Sequence, residues 1–376
     1  MYKRKFLYIG SNDAFSRHEL GFIASLREAD IVVLGARPRA RRLAIASDNG
    51  IHVVSLYEVP CGDLRMFHLC ASVINSILNI DDYSAVFVTP RLPLLVAKAL
   101  NASTRIILRL WSIKAAKLRD NLRFGAHEDI LLFMPSVVAN FYYIMNSTYA
   151  MALDHATYEF AKKVYPFVSG KVLKIYPPYG FIQGEDRVGQ EIPEIIDRSS
   201  YILGFTILSK KGAYLKFEAR PHAIILYLLA KRTKLDVVLA GSSYDDWRRV
   251  FPGLKPLKNL HIIGKGFSDD GIAKIYRNAL LVISPITNRS ISNRFLEALF
   301  YGKPIITSEI VKFIHPELEH GRHIFISTWD TIIEDSLKLL EDEDLLKTLQ
   351  LGAKEAYNKF FSTKRNIEIV KRLISK

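Results

Sequence analysis

Cysteine is almost missing from this 376-residue chain: Cys61 and Cys70 are its two. That argues against a disulfide-stapled secreted scaffold, and their spacing is not a zinc pattern, so two buried free thiols are expected. Glutamine occurs only at Gln183, Gln190 and Gln350, a scarcity compatible with a hot-environment source. Long apolar runs are lacking too. The most apolar window, 130–145, is broken by Pro135 and Asn140 and falls short of the ~20 residues a membrane span needs. Residues 1–5 run straight into the apolar 6–10 without the longer stretch and small-residue cleavage site of a signal peptide. The expectation is a soluble cytoplasmic protein, at most peripheral at a membrane. Asp81-Asp82, Asp245-Asp246 and Asp269-Asp270 are contiguous pairs, not spaced in the Asp-x-Asp form of a metal-binding motif.

Acidic residues are outnumbered, 38 against 52 Lys and Arg, for a formal net charge of +14. The surplus suits an anionic partner: nucleic acid, an acidic membrane surface or a phosphorylated small molecule. With 49% hydrophobic and 24% charged residues the chain is neither disordered nor fibrous, and its length suggests two domains.

Short apolar runs alternate with helical patterns. Strands are expected at 5–10, 31–35, 51–55, 85–89, 105–110, 130–135 and 171–175, with helices at 17–29, 66–78, 92–100 and 148–164. The pattern restarts with strands at 201–208, 236–241, 260–264, 280–285, 304–308 and 324–327, helices at 221–232, 270–278 and 292–300, and further helices from 329. Strands that are apolar throughout imply parallel sheets covered on both faces. The expected fold is α/β: two Rossmann-like doubly wound domains facing a cleft. Residues 1–178 form the first, 179–200 a Pro/Gly-rich linker, 201–355 the second, and 356–376 a helix packing back on the first.

The densest chemical signal is 283–308. A buried strand leads into a polar loop, and a helix opens at Ser292 or Asn293, either of which can cap it. Gly302 and Pro304 stop that helix. Its free N–H groups, with Arg289 and Arg294 nearby, would hold a diphosphate at the carboxyl end of a parallel strand. Glu297 would accept hydrogen bonds from a ribose diol; an ordinary capped helix accounts for the same spacing.

The run Ser292-Asn293-Arg294-Phe295-Leu296-Glu297-Ala298-Leu299-Phe300-Tyr301-Gly302-Lys303-Pro304-Ile305-Ile306 resembles the donor-site signature of retaining GT-B glycosyltransferases, the glycogen-synthase-like family 4 group. Residues 262–285 and the turn at 319–325 are similar to the segments flanking that signature. The resemblance spans roughly 200–360. It implies a nucleotide-sugar donor, such as a UDP- or GDP-sugar, in the second domain and an acceptor in the first. It also implies retention of configuration and neither metal nor other cofactor. The family's first motif glutamate would fall on Arg289, and its arginine after the strand glycine Gly204 falls on Phe205; both are departures. Lys211-Gly212 matches the family's basic loop.

On this resemblance Glu297, Lys211 and Arg289 are the expected catalytic residues. Gly204, Lys210, Lys211, Ser292, Asn293, Arg294 and Glu297 are expected to bind the donor. Gly10, Asn12, Asp13 and Arg109 are the acceptor candidates, turn formation being the plainer reading of the first three. The aromatic window 133–145, with Arg37, Arg39, Arg41 and Arg42, suits an anionic membrane or lipid-linked acceptor, or else core packing beside a solvated basic loop. Open alternatives are a sugar-nucleotide epimerase or other GT-B enzyme, and, from a different class, a basic nucleic-acid-binding protein. Against the last, no helix-turn-helix or RRM signature appears, so nucleic acid is not the expected partner.

Overall fold

The computed structural model describes all residues except 1–4, 27, 101–103, 112, 114–132, 184–192, 199, 209–218, 265, 287–291 and 376. The chain divides into two compact units. The described residues of Met1–Leu118, Glu128–Gly184 and Phe360–Lys376 make the first, and those of Glu185–Lys359 belong to the second.

The first unit has nine strands: β1 (Lys5–Gly10), β2 (Ala29–Leu34), β3 (Arg39–Ser47), β4 (Gly50–Val59), β5 (Tyr83–Val88), β6 (Arg105–Leu110), β7 (Tyr149–Ala152), β8 (Val172–Lys174) and β9 (Gly180–Ile182). Their order is β8-β7-β6-β5-β1-β2-β4-β3-β9. Pairing is parallel except on both sides of β3. Helices α2 (Phe67–Ile77), α3 (Leu92–Ala99), α4 (Phe133–Met145) and α5 (His155–Val164) cover one face, around Leu7, Val86, Leu108 and Ile144. On the other face α1 (Arg17–Ser25) encloses Tyr8, Phe22, Phe87 and Met151. Cys61 and Cys70 are buried free thiols, as expected.

The second unit is a six-stranded parallel sheet of β10 (Tyr201–Phe205), β11 (Asp236–Ala240), β12 (Leu260–Ile263), β13 (Ala279–Ile283), β14 (Ile305–Ser308) and β15 (Phe325–Ser327). Its order is β12-β11-β10-β13-β14-β15. Helices α6 (Ile195–Arg198), α7 (Ala219–Arg232), α8 (Tyr244–Val250), α9 (Asp269–Arg277), α10 (Asn293–Phe300), α11 (Val311–Ile314), α12 (Ile332–Glu341) and α13 (Glu343–Ala356) surround it. The chain runs outward from β10 through β11 to β12, then returns to the other side of β10 as β13. That is the topological switch point at which open α/β sheets bind ligands. The last helix, α14 (Thr363–Ser375), belongs to the first unit, where it packs on α1. There Arg105 Nη1 donates to the carbonyls of Leu373 and Ile374, at 2.9 and 2.6 Å.

Four local expectations change. Arg39, Arg41 and Arg42, read as a membrane-facing cluster or a solvated basic loop, lie on β3, which turns at 48–49 into β4 with Gly50 at φ 94°. Among the described residues β9 pairs with Ile45–Ser47 of β3. Of the window read as a strand at 130–135, residues 130–132 lie outside the described residues and 133–135 open α4, whose core-facing Val137, Phe141 and Ile144 recur at helical spacing. The expected helix 148–164 begins with strand β7, and only then does Asp154 cap α5 by accepting from Thr157 N at 2.6 Å. Within the expected linker, 180–182 form β9.

Candidate active site

The loops at the switch point of the second sheet are anchored by hydroxyls. After β10, Ser242 Oγ donates to the Thr206 carbonyl at 2.7 Å and accepts from Leu208 N at 2.9 Å. Gly241, at φ 95°, passes so close to Thr206 that a Cβ would lie 3.0 Å from its carbonyl oxygen, so glycine is required there. After β13, Thr307 Oγ1 donates to the Ser284 carbonyl at 2.7 Å, and Ser308 Oγ accepts from Ile286 N at 3.1 Å. These anchored stubs lead into 209–218 and 287–291. Lys210, Lys211 and Arg289 therefore lie outside the described residues.

Helix α10 follows. Ser292 is its N-cap: its side chain accepts from Phe295 N and its carbonyl from Leu296 N. Asn293 is the first helical residue. Glu297 comes one turn later and is only 1% exposed. A buried carboxylate needs partners. Arg294 Nη1 donates to Glu297 Oε2 at 2.5 Å, and the Tyr276 hydroxyl, from α9, lies 3.2 Å from the same oxygen and from the Arg294 carbonyl. Burial, with the Glu297 charge second, pushes the Tyr276 hydroxyl well above its usual pKa, so it remains a donor. Its ring stacks on Tyr301 at 4.9 Å and meets Phe205 at 5.3 Å. The Arg294 guanidinium lies 4.4 Å from the Phe205 ring centroid and is 41% exposed. Phe205, in the position of the family's arginine, thus forms a floor under the arginine of the next motif.

The structure brings Glu297, Arg294 and Ser292 together at one helix start beside Phe205. Gly204 plays a packing role. A Cβ there would lie 2.6 Å from Leu226 and 2.8 Å from His222 Nε2, so the glycine lets α7 lie close on β10. Tyr276, Tyr301 and His222 were not anticipated. Burial pushes the His222 imidazole down to about 4, and the ring is bonded to the Ile283 carbonyl. Gly204 and Ile283 are register partners, so this neutral ring sits where the two central strands end.

Arg109 in the first unit is not poised for an acceptor. It is fully buried and makes two hydrogen bonds to Glu19, Nε to Oε2 at 3.1 Å and Nη2 to Oε1 at 3.0 Å. Tyr8 and Trp111 also donate to that carboxylate, at 2.7 and 2.6 Å, and the guanidinium lies 3.6 Å from the Phe22 ring centroid. Burial alone would raise the Glu19 carboxyl, but the Arg109 and His18 charges and these donors outweigh it and hold it below the usual range. A Cβ on Gly10 would lie 2.9 Å from both the Ala14 and Tyr8 side chains, so the turn after β1 needs a small residue. Asn12 and Asp13 lie on the 3-10 turn Asn12–Phe15; their side chains are outside the described residues. Among the described residues no group of three or more His, Cys, Asp or Glu could hold a metal ion. No described helix is long and apolar enough to cross a membrane.

Residues 209–342, which contain this helix start, match the family profile "Glycosyl transferases group 1". Over this segment the chain resembles group 1 glycosyltransferases, and its fold is GT-B. Solved structures agree on the fold. The chain is similar to sucrose-phosphate synthase from Thermosynechococcus elongatus (TM-score 0.66, 12% identity, 98% of each chain). The α,α-trehalose 6-phosphate synthase of Burkholderia multivorans is also similar (TM-score 0.65, 10% identity, 99% of this chain and 98% of that one). Anabaena HepE, solved in complex with UDP-glucose, is another (TM-score 0.63, 14% identity, 99% of this chain and 100% of that one). No curated protein matches the chain by sequence.

Proposed function

We propose that the protein is a glycosyltransferase that moves a sugar from a nucleoside-diphosphate sugar to a hydroxyl acceptor, with retention of configuration and without a metal. The observation that carries the reading is the buried Glu297 carboxylate, held by Arg294 and Tyr276 at the capped start of α10, within the matched segment. A buried carboxylate beside a guanidinium suits a ribose diol next to a diphosphate. Arg294 is the more exposed partner, so its guanidinium is the one that phosphate oxygens can reach. UDP stands first as nucleotide because HepE is described with UDP and UDP-glucose.

In the transfer, the bond between the anomeric carbon and the phosphate oxygen breaks and its electron pair leaves with the diphosphate. The acceptor oxygen bonds to the same face of the sugar, and its proton passes to the departing phosphate oxygen. Arg294, the N–H groups at the start of α10 and the loop cation Lys211 meet the charge that develops, which removes the need for a metal. In this reading Arg289 touches the sugar or its phosphate, and the first unit takes the acceptor.

The test is thermal stabilisation by UDP, GDP and ADP, followed by nucleotide release from a panel of donors. A nucleotide at 100 times its Kd adds about 2.7 kcal/mol of stability. Glu297→Gln keeps the fold and should remove most of the shift. Stabilisation by single-stranded DNA and by no nucleotide would overturn the reading.

A further inference from the structure

Large exposed apolar side chains are concentrated on the helix-covered face of the first unit. Along α4, Met134, Val138, Tyr142 and Met145 are 62%, 63%, 45% and 50% exposed. At 3.6 residues per turn they fall within an arc of about 80°, forming one stripe opposite the buried Ile144 side. Helix α4 has no charged residue in its thirteen positions. Beside it the 3-10 turn Pro166–Lys171 lifts Phe167 to 95% exposure, so the ring stands free of the surface. The turn is fixed to α4: the Tyr165 hydroxyl donates to the Val137 carbonyl at 2.9 Å, and its ring packs against Phe141.

Cations border this stripe. Lys171 Nζ donates to the carbonyls of Met145 and Ser147 at the end of α4, both at 2.9 Å, and Lys98 Nζ reaches Asn146 at 2.5 Å. Lys162 and Lys163 are exposed at the end of α5, just before the Phe167 turn. The acidic residue of α5, Glu159, is 3.9 Å from Lys163. The arginines first associated with this window lie elsewhere: Arg39 and Arg41 both face Glu58 on β4.

We propose that this face docks the protein on an anionic lipid bilayer, with Phe167 and the α4 stripe entering the headgroup region and the lysines meeting lipid phosphates. Protruding rather than grooved apolar groups suit a fluid surface, and a rim of lysines beside one acidic residue suits anionic lipid. The proposal does not depend on the donor-site assignments.

Co-sedimentation of the full chain with vesicles of phosphatidylcholine containing 30% phosphatidylglycerol tests it. Binding should exceed that to pure phosphatidylcholine at least tenfold and weaken with salt. Val138→Asp and Phe167→Asp should each lower it about tenfold without moving the urea midpoint. Lys162→Glu/Lys163→Glu should lower it further and flatten the salt dependence, at about fivefold per lysine neutralised. Equal binding to both vesicles, no binding, or binding indifferent to the Asp variants overturns the proposal. So does a dimer that Val138→Asp splits without any vesicle binding, since a second copy then covers the face.

Discussion

Acid should destabilise the second unit through one imidazole. His222 is 6% exposed, wedged against Gly204 and bonded to the Ile283 carbonyl. Its pKa is about 4 in the folded chain against 6.5 when solvated, and burial is the cause. Because the folded value is the lower one, the neutral ring's contribution is complete above 6.5 and is lost as the pH falls towards 4. A gap from 6.5 to about 4, at about 1.4 kcal/mol per pH unit, amounts to about 3 kcal/mol. That is a large share of an ordinary domain's stability. Urea denaturation followed by the fluorescence of Trp247, which is fully buried in this unit, reads the effect. The perturbation is His222→Leu, which keeps the volume and removes the titration. The stability of wild type relative to the variant should fall by about 3 kcal/mol between pH 7 and pH 4. Nucleotide affinity should fall over the same range, because the ring lies where β10 and β13 lead into the site. A difference between the two proteins that is constant with pH, or an imidazole titrating near 6.5, refutes the reasoning.

Glu19→Ala should strand the buried Arg109 guanidinium and cost about 3–5 kcal/mol in urea denaturation of the first unit; Glu19→Met/Arg109→Met should cost less than that single change. The Glu19 carboxyl is held low, so its contribution is complete above the usual carboxylate range and lost as the pH falls through the folded value. Gly352→Ala would place a Cβ 1.8 Å from the Arg322 carbonyl oxygen, and the second unit should lose more than about 3 kcal/mol or fail to fold, read by its Tm. Ser292→Ala removes the cap of α10, which should cost about 1 kcal/mol by the same measure and weaken UDP binding.

Most of the parallel strands were legible because strands buried on both faces read as unbroken apolar runs, as at Ala29–Leu34, Tyr83–Val88 and Ala279–Ile283. β3 was not, since its arginines occupy both faces of the strand and break the run. Its turn signal, Asn49-Gly50, was present and would have placed the hairpin. In the candidate site, Ser292, Arg294 and Glu297 were readable because a cap and an i,i+3 pair are local. Tyr276 and His222 reach the site from other helices, and nothing in their own neighbourhoods marks them. Arg109 was misjudged for the same reason: its acid is ninety residues away. An arginine inside the apolar run Ile106–Leu110 was itself the clue, because such a charge demands a buried partner.

The return of the last helix sets an order of events in synthesis. The second unit is an insertion within the sequence of the first, so the first sheet leaves the ribosome with part of its α1 face uncovered. Val370 and Leu373, which complete that face, and the carbonyls that receive Arg105, are made only after the second unit. By then the whole of the second unit has been available to fold. A nick or stop near Ser362 would therefore damage the half of the molecule made first and spare the half made just before it.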